Sequence, residues 1–215
     1  MKIRIKFTKE ESVKFLGHLD IMRSFQKCFN RANVKMNYSE GFNPHQKMTF
    51  ALPLGVGITS RAEYLDAQVA DGQDPDVIAD SLNKHIGTGF KVLGVIALPE
   101  NAPAAMAIVK YAAFTVKVPD AAALKTEEFL SQPSIPAVKT TKSGSKEIDL
   151  KKLIYKLDFN GDSFNMILSA GGEDNIKPEL LMENLYAFSG VEFDRFSLII
   201  ERTELMTDGF TPLIA

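Results

Sequence analysis

Cysteine is almost absent from this 215-residue chain, whose single thiol is that of Cys28. Because Cys28 lies within a helical pattern of apolar residues, the chain has no internal disulfide framework and no cysteine-rich metal site. The chain has only three histidines and lacks an HExxH motif, which argues against a metal centre of its own. We therefore predict a protein that binds no metal and resides in the reducing cytoplasm.

Long hydrophobic runs are also missing, so no segment is expected to span a bilayer. The N-terminal residues MKIRIKFTKE alternate charged and apolar side chains, which is typical of a strand and not of a signal peptide. In this predicted strand, Lys2 to Thr8, the side chains of Arg4 and Lys6 are expected on an outward, basic face. Hydrophobic residues make up 45% of the chain and charged residues 24%, the composition of an ordinary soluble globular protein.

Positive charge is concentrated near the N-terminus. The formal net charge is −2, yet residues 1–50 carry ten Lys or Arg against four Asp or Glu. A basic block within a slightly acidic protein argues against indiscriminate nucleic-acid binding. It suits local contacts with phosphates or an acidic partner, although a solvated surface is the simpler alternative.

The predicted elements of the first half follow the order strand, helix, strand, strand, helix, strand. They are Lys2–Thr8, a helix after Gly17, Lys47–Leu52, an alternating segment through Tyr64 to Val69, a helix begun by Asp74-Pro75, and Phe90–Leu98. This order is that of the split βαβ, or ferredoxin-like, fold. The second half repeats it less clearly, with a hairpin about Asn160-Gly161, a helix Lys177–Phe188 and a strand Val191–Glu201. We predict an α+β protein with two tandem ferredoxin-like units and antiparallel sheets, at residues 1–104 and 105–215.

The first predicted helix has a basic side. Its apolar residues recur every three or four positions, while Arg23, Lys27 and Arg31 form a ridge on the opposite face. At the start of the helix, Asp20 favours a capping role over a catalytic one. His18 either packs on Phe15 at the start of the helix or acts as a general acid or base near His45.

The segment from Tyr38 to Gln46 is predicted to be a loop. Gly41 and Asn43-Pro44 are typical turn residues, and Gly41, Phe42 and Pro44 are assigned to the loop's structure. The loop would bring together a stacking ring, an amide, an imidazole and a cation, from Tyr38, Asn43, His45 and Lys47. Alternatively, Asn43 and His45 merely satisfy backbone groups in a long hairpin.

Three blocks of sequence carry a family resemblance: FLGHLDIMRSFQKCFNRAN, YSEGFNPHQKMTFALPLGVGITSRAEYLD and KEIDLKKLI. Together they resemble the bacterial radical-SAM-linked protein family, a domain of unknown function encoded beside, or fused to, a radical SAM protein. The positions that match are His18, Asp20, Arg23, Tyr38, Gly41, Phe42, Asn43, Pro44 and His45. The resemblance implies a radical SAM partner that carries the iron–sulfur cluster and S-adenosylmethionine. This chain has no CxxxCxxC motif and hence no such cluster of its own.

Three functions are compatible with these features. The first is a non-catalytic partner or substrate-binding module that binds RNA, with tRNA and rRNA as candidates. Its predicted binding residues are Arg4, Lys6, Arg23, Lys27, Arg31, Tyr38, Asn43, His45 and Lys47. The second is an RNA-acting enzyme, either a metal-independent endoribonuclease using His18 and His45 or a pseudouridine synthase using Asp20 or Asp66. The third is an adaptor whose GFNPH loop docks a protein. The first is preferred over an enzyme.

Overall fold

The computed structural model describes residues 1–119, 121–141, 144–172 and 174–214. They form two compact units: Met1–Val109 with the chain from Arg202 onward, and Lys110–Glu201. The C-terminal strand thus returns to the first unit. Whether the predicted boundary at residues 104/105 separates two domains stays a prediction.

The first unit contains the basic half of the chain. Its elements are β1 (Lys2–Lys9), α1 (His18–Arg31), β2 (Met48–Phe50), β3 (Thr59–Gln68), α2 (Pro75–His85), β4 (Val92–Leu98), α3 (Ala105–Ile108) and most of β10 (Ile199–Met206). The strand order is β4-β1-β3-β10, and β2 also pairs with β3. Pairing of β1 with β3 and β4, and of β2 with β3, is antiparallel.

One face of this sheet holds the core. Ile3, Ile5 and Phe7 of β1 are fully buried. The rings of Phe7 and Phe25 lie 4.5 Å apart, so the core joins β1 to the apolar stripe of α1. The basic ridge and the apolar stripe lie on opposite sides of α1, as expected for a helix with 3.6 residues per turn.

Helix α2 begins as its sequence predicts. Asp74 accepts a hydrogen bond from the Asp76 amide at 2.9 Å, and Pro75 occupies the first turn. Ile78 and Leu82 are its buried residues.

The second unit contains β5 (Tyr111–Lys117), α4 (Thr126–Ser131), β6 (Pro136–Thr141), β7 (Gly144–Asp149), β8 (Ile154–Phe159), β9 (Ser163–Ser169) and α5 (Pro178–Ser189). Strands β5, β9 and β8 pair in that order and antiparallel, while β6 and β7 form a separate two-stranded sheet. The hairpin near Asn160 is confirmed: the Asn160 amide donates to Ser163 O at 3.0 Å. Gly161 and Asp162 form its tip, one residue later than predicted.

The predicted strand Val191–Glu201 is wrong at its start. Asp194 accepts a hydrogen bond from the Phe196 amide at 2.9 Å and caps a single helical turn, Arg195–Ser197. Aspartate side chains commonly form such hydrogen bonds with nearby backbone amides, and these bonds compete with strand formation. Strand β10 therefore begins at Ile199.

The α+β class is confirmed, with mostly antiparallel strands and few helices. The finer prediction of two tandem ferredoxin-like units is not confirmed. Among the described residues, no helix is both long and apolar enough to cross a membrane.

Candidate ligand-binding surface of the first unit

The ridge of α1 is exposed to solvent. Arg23, Lys27 and Arg31 all lie on the open side of the helix. Arg23 forms a loose ion pair with Asp20, at 3.4 Å between Nη1 and Oδ1, and Arg31 donates to the backbone oxygen of His85 at 2.8 Å. Exposed pairs of this kind contribute little free energy. The cations therefore remain available to a ligand.

The loop after α1 closes where the sequence predicts. Tyr38 and Gln46 form an antiparallel bridge, and the Ser39 amide donates to the His45 oxygen at 2.9 Å. Gly41 has a φ of +107°, a conformation that favours glycine. The loop side chains predicted to bind, together with Phe42, are exposed: Tyr38, Phe42, Asn43, His45 and Lys47.

A buried amide fastens this loop to α1. Gln46 is only 5% exposed, and its Nε2 donates to Asn30 Oδ1 at 2.8 Å. Tyr38 Oη lies 3.5 Å from the same nitrogen. Because Lys27 and Arg31 flank Asn30 on the helix, the loop and the ridge form one continuous surface. We call this the loop–ridge surface: Arg23, Lys27, Arg31, Tyr38, Phe42, Asn43, His45 and Lys47.

Ser39 holds the imidazole of His45. Its Oγ accepts from the His45 amide at 3.1 Å and lies 2.9 Å from Nδ1. Which atom donates in the contact with Nδ1 depends on the imidazole tautomer. In either case the contact holds the orientation of the ring.

His18 has a different environment. It is half-buried, and its ring meets the edge of Phe50 at 5.0 Å between centroids. His18 therefore packs on a ring, but on Phe50 of β2 and not on the predicted Phe15, which is 71% exposed. The described contacts do not join His18 to His45.

The prediction of an outward, basic face on β1 is wrong at Arg4 and Lys6. Arg4 is 4% exposed and makes two bonds to Asp66, with Nε 2.7 Å from Oδ1 and Nη2 3.0 Å from Oδ2. It also donates to the backbone oxygens of Pro103 and Leu213. Lys6 is half-buried, with Nζ 2.6 Å from a Glu204 carboxylate oxygen. This face of β1 is covered by segments that are distant in sequence. The alternation of charged and apolar residues along the strand does not reveal such cover.

A cleft of about 410 Å³ opens beside the loop. Its lining comprises Lys2, His45, Gln46, Lys47, Met48, Thr49, Asp66, Ala67, Gln68, Leu98, Ala102 and Ala104. The carboxylate of Asp66 is engaged by Arg4 and by the Ala105 amide, at 2.6 Å, so it serves the fold. His45 and Lys47 are shared between the cleft and the loop–ridge surface.

A family model described as "Uncharacterized protein conserved in bacteria (DUF2344)" matches residues 2–178. The chain belongs to this family. The description names no radical SAM protein, so that link stays a prediction. No curated protein matches the chain.

Among solved structures, one that resembles the chain is titled "Crystal Structure of an Unknown Protein from Galdieria sulphuraria". It is 12% identical, and the match covers 94% of this chain and 96% of that one, with a TM-score of 0.29.

Several polar residues that line the cleft of this DUF2344 chain were not predicted from its sequence. Gln46, Thr49 and Gln68 line the cleft. The signal for Thr49 and Gln68 was their alternation with apolar neighbours in β2 and β3, whereas Gln46, between His45 and Lys47, had none. A second buried group, Lys9, Glu63 and Arg202, lies elsewhere in the first unit. Arg202 pairs with Glu63, and Lys9 donates to the Gly55 oxygen at 3.3 Å. Among the described residues, no cluster of three or more His, Cys, Asp or Glu is suited to hold a metal ion.

Proposed function

We propose that the first unit binds RNA through the loop–ridge surface and acts as a non-catalytic substrate-binding module. The observation that carries this proposal is the Gln46–Asn30 hydrogen bond at 2.8 Å, which fixes the exposed loop beside the basic helix. The cations of the ridge and the exposed aromatic rings of the loop therefore lie side by side, where one RNA strand can contact both.

The chemistry of the surface fits single-stranded or looped RNA. Cationic side chains neutralise phosphates, and exposed aromatic rings stack on bases of any identity. Tyr38 is 48% exposed and Phe42 is fully exposed. Since the protein as a whole carries a formal charge of −2, attraction to RNA would be local to this surface. Transfer RNA and ribosomal RNA are the candidate ligands.

The resemblance of the GHLD and YSEGFNPH blocks supports a radical SAM enzyme as the partner. In this proposal the partner holds the iron–sulfur cluster and S-adenosylmethionine, and this chain presents the substrate. The pair would act in the cytoplasm.

The order of elements supports ferredoxin-like architecture. In the first unit, the elements β1-α1-β2-β3-α2-β4 follow the sequence of a split βαβ fold; β4, β1 and β3 are neighbours in that order, and both β2 and β10 pair with β3. In the second unit, β5, α4, β8, β9 and α5 follow the first five elements of that sequence, with β6 and β7 as an inserted hairpin. We infer two tandem units of this type.

The test is binding of the purified chain to tRNA and rRNA fragments at low and moderate salt. Reversing two ridge charges, Arg23→Glu with Lys27→Glu, should weaken binding and lower the salt slope by about 0.7 per lost single-strand phosphate contact. The matched control, Lys110→Glu with Lys146→Glu, makes the same charge change at exposed residues of the second unit. An unchanged salt slope in the ridge variant would remove RNA from the proposal.

Two results would favour the other functions. RNA cleavage that is lost in both His18→Ala and His45→Ala would make the protein an endoribonuclease. No RNA binding, with capture of a protein through the GFNPH loop, would make it an adaptor.

A further inference from the structure

The floor of the cleft is built from four neighbouring strands. Lys2 of β1 pairs with Gln68 of β3 on one side and with Leu98 of β4 on the other. On the far side of β3, the Gln68 amide donates to the Lys47 oxygen at 2.9 Å, and Thr49 pairs with Asp66. This face of the sheet is the one opposite the buried Ile3 and Ile5. Regular strand pairing therefore fixes the spacing of the polar side chains in the cleft.

Lys2 and Lys47 give the cleft a positive charge, while the negative charge of Asp66 is balanced by Arg4. His45 lies in the lining with Lys47. A second cleft of about 380 Å³ adjoins it at Lys2, Gln68 and Leu98, and Asp71 and Glu100 line that one. Asp71 is paired with the N-terminal ammonium, so Glu100 is the carboxylate at that end without such a pair among the described contacts. An anionic group is therefore favoured at the Lys47 and His45 end, away from Glu100. The imidazole of His45, with its ring held by Ser39, lies within the lining at the same end.

The rest of the lining has a different character. Leu98, Ala102 and Ala104 provide an apolar wall, and Gln68 and Thr49 supply hydrogen-bond donors and acceptors. A volume of about 410 Å³ lies within the range of small-molecule sites. The matching ligand has an anionic end and a flat, largely apolar body with polar edges.

We propose that this cleft binds a nucleoside monophosphate, with its phosphate at Lys47 and His45 and its base between the apolar wall and Gln68. Free mononucleotides and the terminal nucleotide of an RNA present the same chemistry. The inference does not depend on RNA binding by the ridge, because Arg23, Lys27 and Arg31 do not line the cleft, although His45 and Lys47 belong to both surfaces.

The experiment is calorimetric titration of the full chain with each of the four nucleoside 5′-monophosphates and with inorganic phosphate. We expect saturable binding of at least one nucleotide, and binding of phosphate at least tenfold weaker. Ala104→Trp fills the cleft from an exposed position and should weaken nucleotide binding at least tenfold. Its matched control, Ala107→Trp, is equally exposed on α3, lies outside the lining and should bind as the parent does.

The source of the nucleotide is tested by competition between the bound monophosphate and a short RNA with a terminal phosphate. Stronger competition by the RNA assigns the cleft to an RNA end, and weaker competition assigns it to a free nucleotide. The ridge variant Arg23→Glu with Lys27→Glu should retain monophosphate binding even where it loses RNA, which separates this inference from the proposed function. Absence of binding by all four nucleotides, or equal binding by Ala104→Trp, would overturn it.

Discussion

Gln46 Nε2 donates a hydrogen bond to Asn30 Oδ1 at 2.8 Å and so joins the end of the loop to the last turn of α1. The partners are 16 residues apart in sequence. Gln46 is buried, and within the described part of the chain its Oε1 has no hydrogen-bond partner. The side chain is therefore held by its amide nitrogen, and the position of the loop depends on that bond.

Removing either partner should loosen the loop without altering the charge of the ridge. We expect Gln46→Ala and Asn30→Ala each to weaken RNA binding a few-fold, and their coupling energy in a double-mutant cycle to be about 0.5–1.5 kcal/mol. Hydrogen exchange should accelerate for residues 39–45. Gln26→Ala is the control, because Gln26 contributes only its backbone oxygen to Gln46. Additive effects of Gln46→Ala and Asn30→Ala would show that the bond does not couple loop and helix.

Local patterns and long-range contacts differ in how well the sequence reveals them. The ridge of α1 and the loop follow from helical period and turn residues, so both were predictable. The burial of Gln46 was not predictable, because a polar residue at the end of a loop is normally exposed to solvent. The prediction that Arg4 faces solvent was wrong for another reason. Arg4 binds Asp66, 62 positions away in sequence, and Leu213, 209 positions away. A period of two identifies the faces of a strand but not the distant segments that cover them.

The buried Lys9 should make the free energy of unfolding change with pH in the alkaline range. Burial holds the pKa of Lys9 below its ordinary value of 10.5, with Glu63 opposing that shift and Arg202 adding to it. Between the lowered pKa and 10.5, the unfolded state binds more protons, so this residue makes the free energy of unfolding rise with pH. Lys9→Met should lack that rise.

Urea unfolding of both proteins from neutral pH to pH 10 checks this. The stability of Lys9→Met relative to the parent should be greatest at neutral pH and decline as the pH rises. Lys91→Met, at an exposed position, should show no such trend. A difference between Lys9→Met and the parent that is constant across this range would mean that Lys9 does not titrate there.

The lone thiol should be inert in the native protein. Cys28 is fully buried, with Sγ 3.6 Å from the Leu82 oxygen, and burial raises its pKa to about 11. Because the thiolate is the reactive form, we expect no labelling by a thiol reagent at pH 8 until the protein opens. Labelling in increasing urea should follow the unfolding transition measured by circular dichroism. Rapid stoichiometric labelling without urea would contradict the packing of α1 against α2.

Gly89 should tolerate no side chain. Its φ is +93°, and an added Cβ would lie 2.7 Å from Val13 Cγ1, closer than such atoms approach. The backbone there is also held, since the Glu10 amide donates to the Gly89 oxygen at 2.8 Å. We expect Gly89→Ala to lower the free energy of unfolding by about 2–4 kcal/mol, of which about 1 arises from the backbone and about 1–3 from overlap.

Gly87→Ala is the matched control, two residues earlier. Its added Cβ would meet no atom within 4 Å, and its φ lies outside the region that favours glycine. That variant should stay within about 0.5 kcal/mol of the parent in urea unfolding. Equal stability of the two variants would mean that the segment around Val13 moves aside at no cost. A large loss at position 89 alone would show that the turn after α2 and the segment after β1 form one rigid contact.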